Sequence, residues 1–130
     1  MKLYHIDTDF LIYAVESNGP ERSRVFSILD SGAELQLSAV AWYEFSRGPR
    51  TPSQLAVSRS FIGPRGIVEF TETLASRAAD TFRALGSPRR RAADIAIGIT
   101  AASCRATLLT RNARDFDGVP NLTLDSSESP

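Results

Sequence analysis

The sequence has a single cysteine and a single histidine among its 130 residues. Because Cys104 is the only cysteine, the chain cannot form an internal disulfide or a cluster of thiolate metal ligands, and a reducing cytosol suits it. The one histidine, His5, falls inside an apolar run that predicts a buried strand, so it is a poor candidate for catalysis.

Lysine is almost absent as well, and the formal net charge is zero. Lys2 is the only lysine, and every other basic residue is an arginine, which prefers planar partners such as phosphates and carboxylates. A phosphoacceptor signalling domain needs a lysine late in its sheet, so this composition argues against that class. No glycine-rich turn follows a predicted strand, which argues against a P-loop or dinucleotide-binding protein.

Long apolar runs are also missing. No apolar stretch reaches the roughly 18 residues that a membrane-spanning helix needs, and charge arrives too early for a signal peptide. We therefore expect no membrane association and a cytoplasmic location. The length and the 42% hydrophobic content predict one globular domain over residues 1–125, followed by a short disordered tail over 126–130.

Short apolar runs that alternate with helical patterns are the main structural signal in the chain. The runs that predict strands are 3–6, 34–37, 67–70, 107–110 and 122–124. Helices are predicted between them, as in the apolar spacing of 73–85. This alternation predicts an α/β fold of three layers, with a mostly parallel central sheet and helices on both faces.

The stretch 89–102 joins three arginines to an almost wholly apolar helix that carries one carboxylate, Asp94. Ser87-Pro88 predicts the start of this helix, because serine caps free amides and proline suits the first helical position. A lone buried carboxylate is costly unless it has a hydrogen-bond donor or a metal ion as its partner. Asp94 either pairs with Arg90 or Arg91, one turn earlier on its own face, or belongs to a functional site.

Three other carboxylates occur where a charge needs an explanation. Asp7 follows the first strand, Glu44 lies in an apolar helix after the second, and Asp115 lies beyond the fourth. Segments after parallel strands collect at one edge of the sheet, so these groups and Asp94 are expected to converge there. Such a cluster would not stay ionised without a cation, and its oxygen ligands suit Mg²⁺ or Mn²⁺. Metal ions held in this way serve phosphodiester hydrolysis.

Residues beside these acids have simpler interpretations as well. Asp9 is favoured as the cap of the first helix, whereas a cap and a functional group are equally good interpretations of Asp7. Trp42 and Tyr43 have rings that could stack on bases, but aromatic residues at such spacing favour a place in the core.

The acidic motifs, in their order and spacing, resemble those of PIN-domain ribonucleases, specifically the toxin of a VapBC-type toxin–antitoxin pair. The resemblance covers nearly the full length of the chain. The segments that carry it are 7–13 (DTDFLIY), Ser38 to Glu44-Phe45, 94–97 (DIAI) and 110–116 (TRNARDF). Two positions depart from the family pattern: Asp9 replaces a common Asn, and Gly98 replaces a common Ala.

The resemblance implies a metal-dependent endoribonuclease with a PIN-like fold. The acids that would bind Mg²⁺ or Mn²⁺ and carry catalysis are Asp7, Glu44, Asp94 and Asp115. The resemblance also implies RNA as the substrate, a homodimer, and a small VapB-like antitoxin that blocks the site.

Further residues are expected to support these acids. Thr110, Asn112 and Asp9 could orient a carboxylate or a water near the metal, although the first two are also ordinary turn residues. The arginines predicted to hold RNA are Arg89, Arg90, Arg91, Arg111 and Arg114. A solvated helix end explains the first three nearly as well.

Two alternatives stay open at this point. A non-catalytic module with the same fold could bind RNA or a protein, although the intact set of acids argues against it. A metal-dependent DNase of the same fold is the second alternative.

Overall fold

The structure, a computed structural model, describes residues 2–63 and 65–126. The strands in this part of the chain are β1 (Leu3–Ile6), β2 (Glu34–Ser38), β3 (Ile67–Val68), β4 (Thr107–Thr110) and β5 (Thr123–Ser126). The α-helices are α1 (Thr8–Glu16), α2 (Pro20–Asp30), α3 (Ala39–Ser46), α4 (Pro52–Phe61), α5 (Glu72–Ala84) and α6 (Ala92–Ser103). Two 3₁₀ turns, Arg89–Arg91 and Ala113–Phe116, precede α6 and follow β4.

The strands form one sheet in the order β3-β2-β1-β4-β5, and every pairing is parallel. His5 of the central strand β1 lies opposite Gln36 of β2 and Leu108 of β4. Tyr4, His5 and Ile6 are all buried, so both faces of β1 are covered, as is typical of parallel sheets. The predicted α/β fold with flanking helices is confirmed.

The apolar interior consists of two clusters that share helix α6. Ile97 of α6 belongs to the larger cluster, which joins the sheet to α1, α2 and α4. Ile95 and Ile99 belong to the smaller cluster between α5 and α6. Because α6 packs on both clusters, its sequence is apolar around most of the helix, and Asp94 in its first turn is an exception to that pattern.

Helix α6 begins later than the sequence predicts. Ser87 has a φ of 55°, in the left-handed region, whereas an N-cap residue has an extended backbone. Ser87-Pro88 therefore does not start the helix; the arginines at 89–91 form the 3₁₀ turn, and Arg91 occupies the N-cap position of α6.

The ends of the sheet also differ from the prediction. Strand β3 covers Ile67–Val68 rather than 67–70. Strand β5 pairs with β4 as far as Ser126, so the predicted disordered tail does not begin at 126, and its residues 127–130 lie outside the described part of the chain. Among the described residues, no helix is long and apolar enough to cross a membrane.

Candidate functional site

A cleft of about 300 Å³ opens at the carboxyl edge of the sheet. Parallel strands bring the segments after β1, β2 and β4 to this edge, and the first turn of α6 reaches it from the side. The residues that line the cleft are Asp7, Thr8, Asp9, Ile12, Glu44, Arg47, Asp94 and Asp115. The structure therefore brings the predicted acids together in one place.

Asp7 is the N-cap of α1 and is only 6% exposed. Its Oδ1 accepts a hydrogen bond from the Thr8 backbone N–H at 2.8 Å, and its Oδ2 accepts one from Thr110 Oγ1 at 3.1 Å. Burial raises the pKa of Asp7 to about 7, although both hydrogen bonds act in the opposite direction. The prediction that Asp9 caps this helix was wrong, because α1 begins two residues earlier, at Thr8, and Asp9 lies exposed in its first turn.

Glu44 is held in place by a threonine from a different helix. Ser38 caps α3 by accepting a hydrogen bond from the Ala41 N–H at 3.0 Å, which sets the start of the helix that carries Glu44. Thr8 Oγ1 then donates to Glu44 Oε1 at 2.8 Å. Thr8 was missed by sequence reasoning, and its position between Asp7 and Asp9 was the available signal.

Asp94 has no hydrogen-bond or ion-pair partner among the described residues, so of the two alternatives for this residue the structure does not show the pairing with Arg90 or Arg91. The Arg91 guanidinium instead donates to the backbone carbonyls of Asp115, at 3.0 Å, and Asp117. Burial and, to a smaller extent, the negative charges of the neighbouring acids, Asp7 foremost, together raise the pKa of Asp94 to about 7.

Asp115 is oriented by the turn that follows β4. Asn112 Nδ2 donates to Asp115 Oδ2 at 2.8 Å, and the Asn112 backbone N–H donates to Thr110 Oγ1 at 3.0 Å. Since the same Thr110 hydroxyl donates to Asp7, one chain of hydrogen bonds joins Asp7 to Asp115. Two of the three predicted supporting residues, Thr110 and Asn112, thus contact a carboxylate of the cleft, while the role of all three beside a metal stays a prediction.

The arginines predicted to hold RNA differ in their surroundings. Arg91 is bound to backbone carbonyls, and the Arg111 guanidinium lies 3.6 Å from the ring centre of Tyr13 and 3.4 Å from Glu21. The other three are exposed: Arg89, Arg90 and Arg114. The basic side chain that lines the cleft is Arg47, which the sequence reasoning did not select.

The two aromatic residues of α3 have separate environments. Trp42 is half-buried and stacks on Phe45 with the ring centres 6.0 Å apart, in agreement with a place beside the core. Tyr43 is 62% exposed, so its predicted place in the core was wrong. The helix turns Tyr43 outward because Ala41 and Phe45 occupy its buried side.

The chemistry of the cleft suits Mg²⁺ or Mn²⁺, because carboxylate oxygens line it without histidine or cysteine. Within residues 2–63 and 65–126, however, no group of three or more such side chains is arranged to hold an ion as it stands. Like charges keep carboxylates apart, whereas a cation would draw them together and favour their charged forms. A metal ion would therefore require the acids to move, and among the described residues Asp94 has no hydrogen bond to break.

Solved structures with a similar fold include toxin–antitoxin complexes. The chain is similar in structure to VapBC2 from Rickettsia felis bound to a DNA fragment from their promoter, with a TM-score of 0.74, 20% identity, and coverage of 97% of this chain and 99% of that one. It is also similar to DNA-bound VapBC from Salmonella typhimurium, with a TM-score of 0.70, 21% identity, and coverage of 97% and 98%. A toxin–antitoxin complex from Klebsiella pneumoniae gives a TM-score of 0.65, 24% identity, and coverage of 95% and 96%.

These likenesses concern the fold, since each identity is low. No curated protein matches the chain. The family model described as the PIN domain, however, matches residues 4–122, which is most of the sequence and includes every acid of the cleft. The chain therefore belongs to the PIN-domain family.

Proposed function

We propose that this protein is a metal-dependent endoribonuclease and the toxin of a VapBC-type toxin–antitoxin pair. The observation that carries the proposal is the convergence of Asp7, Glu44, Asp94 and Asp115 on one cleft at the carboxyl edge of a parallel sheet. PIN-domain proteins are generally nucleases, which supports the assignment of a hydrolase. The low sequence identity to VapBC structures leaves the choice of RNA as substrate to experiment.

In the proposed reaction the acids of the cleft have different roles. Mg²⁺ or Mn²⁺, when bound, would supply an activated water and stabilise charge on the phosphate. Asp7 is positioned in advance by its two hydrogen bonds, and Asn112 directs the Asp115 carboxylate. Asp94, which makes no hydrogen bond among the described residues, would hold the ion in its deprotonated form, because a carboxylate ligand is deprotonated.

The proposal includes partners and a location. A VapB-like antitoxin is proposed because the similar structures are VapBC and toxin–antitoxin complexes. The homodimer and the cytoplasmic location expected from the sequence are parts of the same proposal.

A non-catalytic RNA- or protein-binding module is the second candidate. The observation that favours it is that the described acids are not arranged in advance around an ion. A module of this kind would bind its partner equally well in chelator and in Mg²⁺.

The test is cleavage of single-stranded RNA by purified protein free of antitoxin, in Mg²⁺, Mn²⁺ or chelator. The variant Asp94→Asn keeps the size of the side chain and removes its charge, and Asp30→Asn makes the same change at an exposed position of α2. We expect metal-dependent cleavage that Asp94→Asn abolishes and Asp30→Asn leaves intact. Equal cleavage by wild type and Asp94→Asn would show a contaminating nuclease. No metal uptake by calorimetry would overturn the proposal, and single-stranded DNA in parallel separates a ribonuclease from a DNase.

A further inference from the structure

Tyr43 is the most exposed large hydrophobic side chain in the described residues, at 62%. Its neighbours on α3 account for the packing of that helix: Ala41 and Phe45 are fully buried, and Trp42 stacks on Phe45. Tyr43 is next in sequence to Glu44, which lines the acidic cleft. A single exposed aromatic residue needs no explanation by itself. The feature that distinguishes Tyr43 is its contact with a residue that lines the cleft.

Arg47 makes that contact. It lies one helical turn after Tyr43, lines the cleft, and places its guanidinium 5.2 Å from the centre of the Tyr43 ring. Glu44, three residues earlier, is the expected ion-pair partner, but it accepts a hydrogen bond from Thr8. In residues 2–63 and 65–126, no carboxylate forms an ion pair with Arg47.

Of the other arginines that contact aromatic rings, Arg24, Arg50 and Arg111 form ion pairs, whereas Arg59 over Trp42 has no ion pair among the described residues but does not line the cleft. Arg111 lies over Tyr13 but is 3.4 Å from Glu21, which is buried, so this contact connects the end of β4 to α2. Arg50 lies over Phe45 and forms an ion pair with Glu16. Arg47 differs from both because its charge stays available in a cleft that is otherwise acidic.

An unpaired guanidinium in such a cleft suits an anion rather than the metal ion. Arginine binds phosphate through several donors in one plane, and stacking on a ring orients that plane in advance. The Arg47 contact occupies one side of the Tyr43 ring, and an exposed ring beside a phosphate-binding residue can stack an unpaired base.

We propose that Arg47 and Tyr43 form a nucleotide-binding subsite at the rim of the cleft. Arg47 binds the phosphate next to the scissile one, and Tyr43 stacks the base of that nucleotide. This inference rests on the proposed function, which supplies RNA as the ligand. It also predicts that the nucleotide in this subsite is unpaired, because a base within a duplex cannot stack on a tyrosine.

The first experiment measures steady-state cleavage of a labelled single-stranded RNA by the full chain. Tyr43→Leu is expected to raise KM by about tenfold with little change in kcat, as loss of one stacked base would do. Tyr43→Phe should stay near wild type, because it keeps the ring. Phe26→Leu is the matched control, since Phe26 is 50% exposed but lies on α2.

The second experiment measures binding of the same RNA, by fluorescence anisotropy in Mg²⁺ at several salt concentrations. All proteins carry Asp94→Asn, so that RNA is not cleaved. Arg47→Gln is expected to weaken binding and to make the slope of log K against log salt shallower by about 0.7, the value for one phosphate on a single strand. Arg77→Gln, an exposed arginine on α5, should leave the slope unchanged.

Abasic RNA supplies the direct test of stacking. Removing the base at one position should weaken binding about as much as Tyr43→Leu does. The two changes together should weaken binding little more than either change alone. Unchanged KM and unchanged binding in Tyr43→Leu and Arg47→Gln would overturn the subsite even if cleavage is metal-dependent. Loss of binding in these variants without cleavage by the wild-type chain would support the subsite and overturn the nuclease. No RNA binding by the Asp94→Asn parent, together with no cleavage by the wild-type chain, would overturn both.

Discussion

Asp7 and Asp94 share a cleft and a pKa raised to about 7, yet they are held in opposite ways. Asp7 is 6% exposed, caps α1 and accepts two hydrogen bonds. Asp94 is half-buried on an apolar helix, and no partner for it exists among the described residues. Asp7 therefore both caps a helix and lines the cleft, whereas Asp94 lines the cleft without a structural hydrogen bond among the described residues.

This difference has a consequence for both stability and function. The hydrogen bonds of Asp7 offset part of the free-energy cost of burying its carboxyl group. Asp94 gains no such bond and is repelled by its acidic neighbours, so its charged form opposes folding. A bound cation would remove that opposition.

Addition of Mg²⁺ is expected to cause the largest change in the free energy of unfolding. Mg²⁺ at one hundred times its dissociation constant should raise the free energy of unfolding by about 2.7 kcal/mol, because it binds only the folded protein. Asp94→Asn should lose most of this gain without loss of stability in chelator. The measurement is urea denaturation with and without Mg²⁺, and a full gain in Asp94→Asn would exclude Asp94 as a ligand.

Removing the Asp7 side chain is expected to lower stability at pH 4. Asp7→Ala loses the helix cap and leaves the Thr110 hydroxyl without its acceptor, at a cost of about 2 kcal/mol in total. Asp94→Ala under the same conditions should change the free energy of unfolding by less than about 0.5 kcal/mol. Chemical denaturation at pH 4 checks both, and equal losses would contradict the distinction between the two acids.

The pH dependence of stability isolates the charge on Asp94. Its pKa is 3.8 in the unfolded chain and about 7 when folded, so the folded state binds the proton more tightly. The associated stability is fully present below pH 3.8 and is lost as pH rises through 7. In chelator, Asp94→Asn should exceed wild type by about 1 kcal/mol at pH 8, allowing for solvent screening, and match it near pH 4.

Thermal or urea unfolding across this pH range provides the measurement. The control is Asp30→Asn, an exposed carboxylate on α2, which should show no such crossing. A constant difference between wild type and Asp94→Asn at all pH values would show that the charge of Asp94 is not responsible.

Asp9→Asn is expected to have the smallest effect. Asp9 lines the cleft and is exposed, and its charge is a minor contribution to the raised pKa of both Asp7 and Asp94. The substitution should change stability by less than about 0.5 kcal/mol and lower both pKa values slightly, as measured by carboxyl NMR titration. A loss of most of the Mg²⁺-dependent stabilisation would instead make Asp9 a metal ligand.

Much of the fold could be predicted because its signals are local. Apolar runs alternating with helical spacing indicated a parallel α/β sheet, and a carboxylate after a strand indicated the edge of the sheet where ligands bind. The strand order β3-β2-β1-β4-β5 was not predicted, since it depends on which strands pair across long stretches of chain.

Two differences concern how a helix face packs against other parts of the chain, unlike the local errors at the starts of α1 and α6. A pairing of Arg91 with Asp94 on the same helix face was one open alternative, but Arg91 donates to carbonyls more than twenty residues later in the chain. Tyr43 was expected in the core because its neighbours are apolar, but Ala41 and Phe45 already occupy the buried side of α3. Spacing along a helix shows which residues share a face, but not what that face contacts.

The sequence by itself determined the type of each element, the parallel sheet and the identity of the acids at its edge. These properties follow from hydrophobic periodicity and from the position of a charge relative to a strand. Only the tertiary structure decided that Thr8 and Thr110 hold two of the acids, that Asp94 has no partner in the described part of the chain, and that Arg47 lines the cleft. The reason is physical: hydrogen bonds and ion pairs depend on distances of a few ångströms between side chains that only the packed fold brings together.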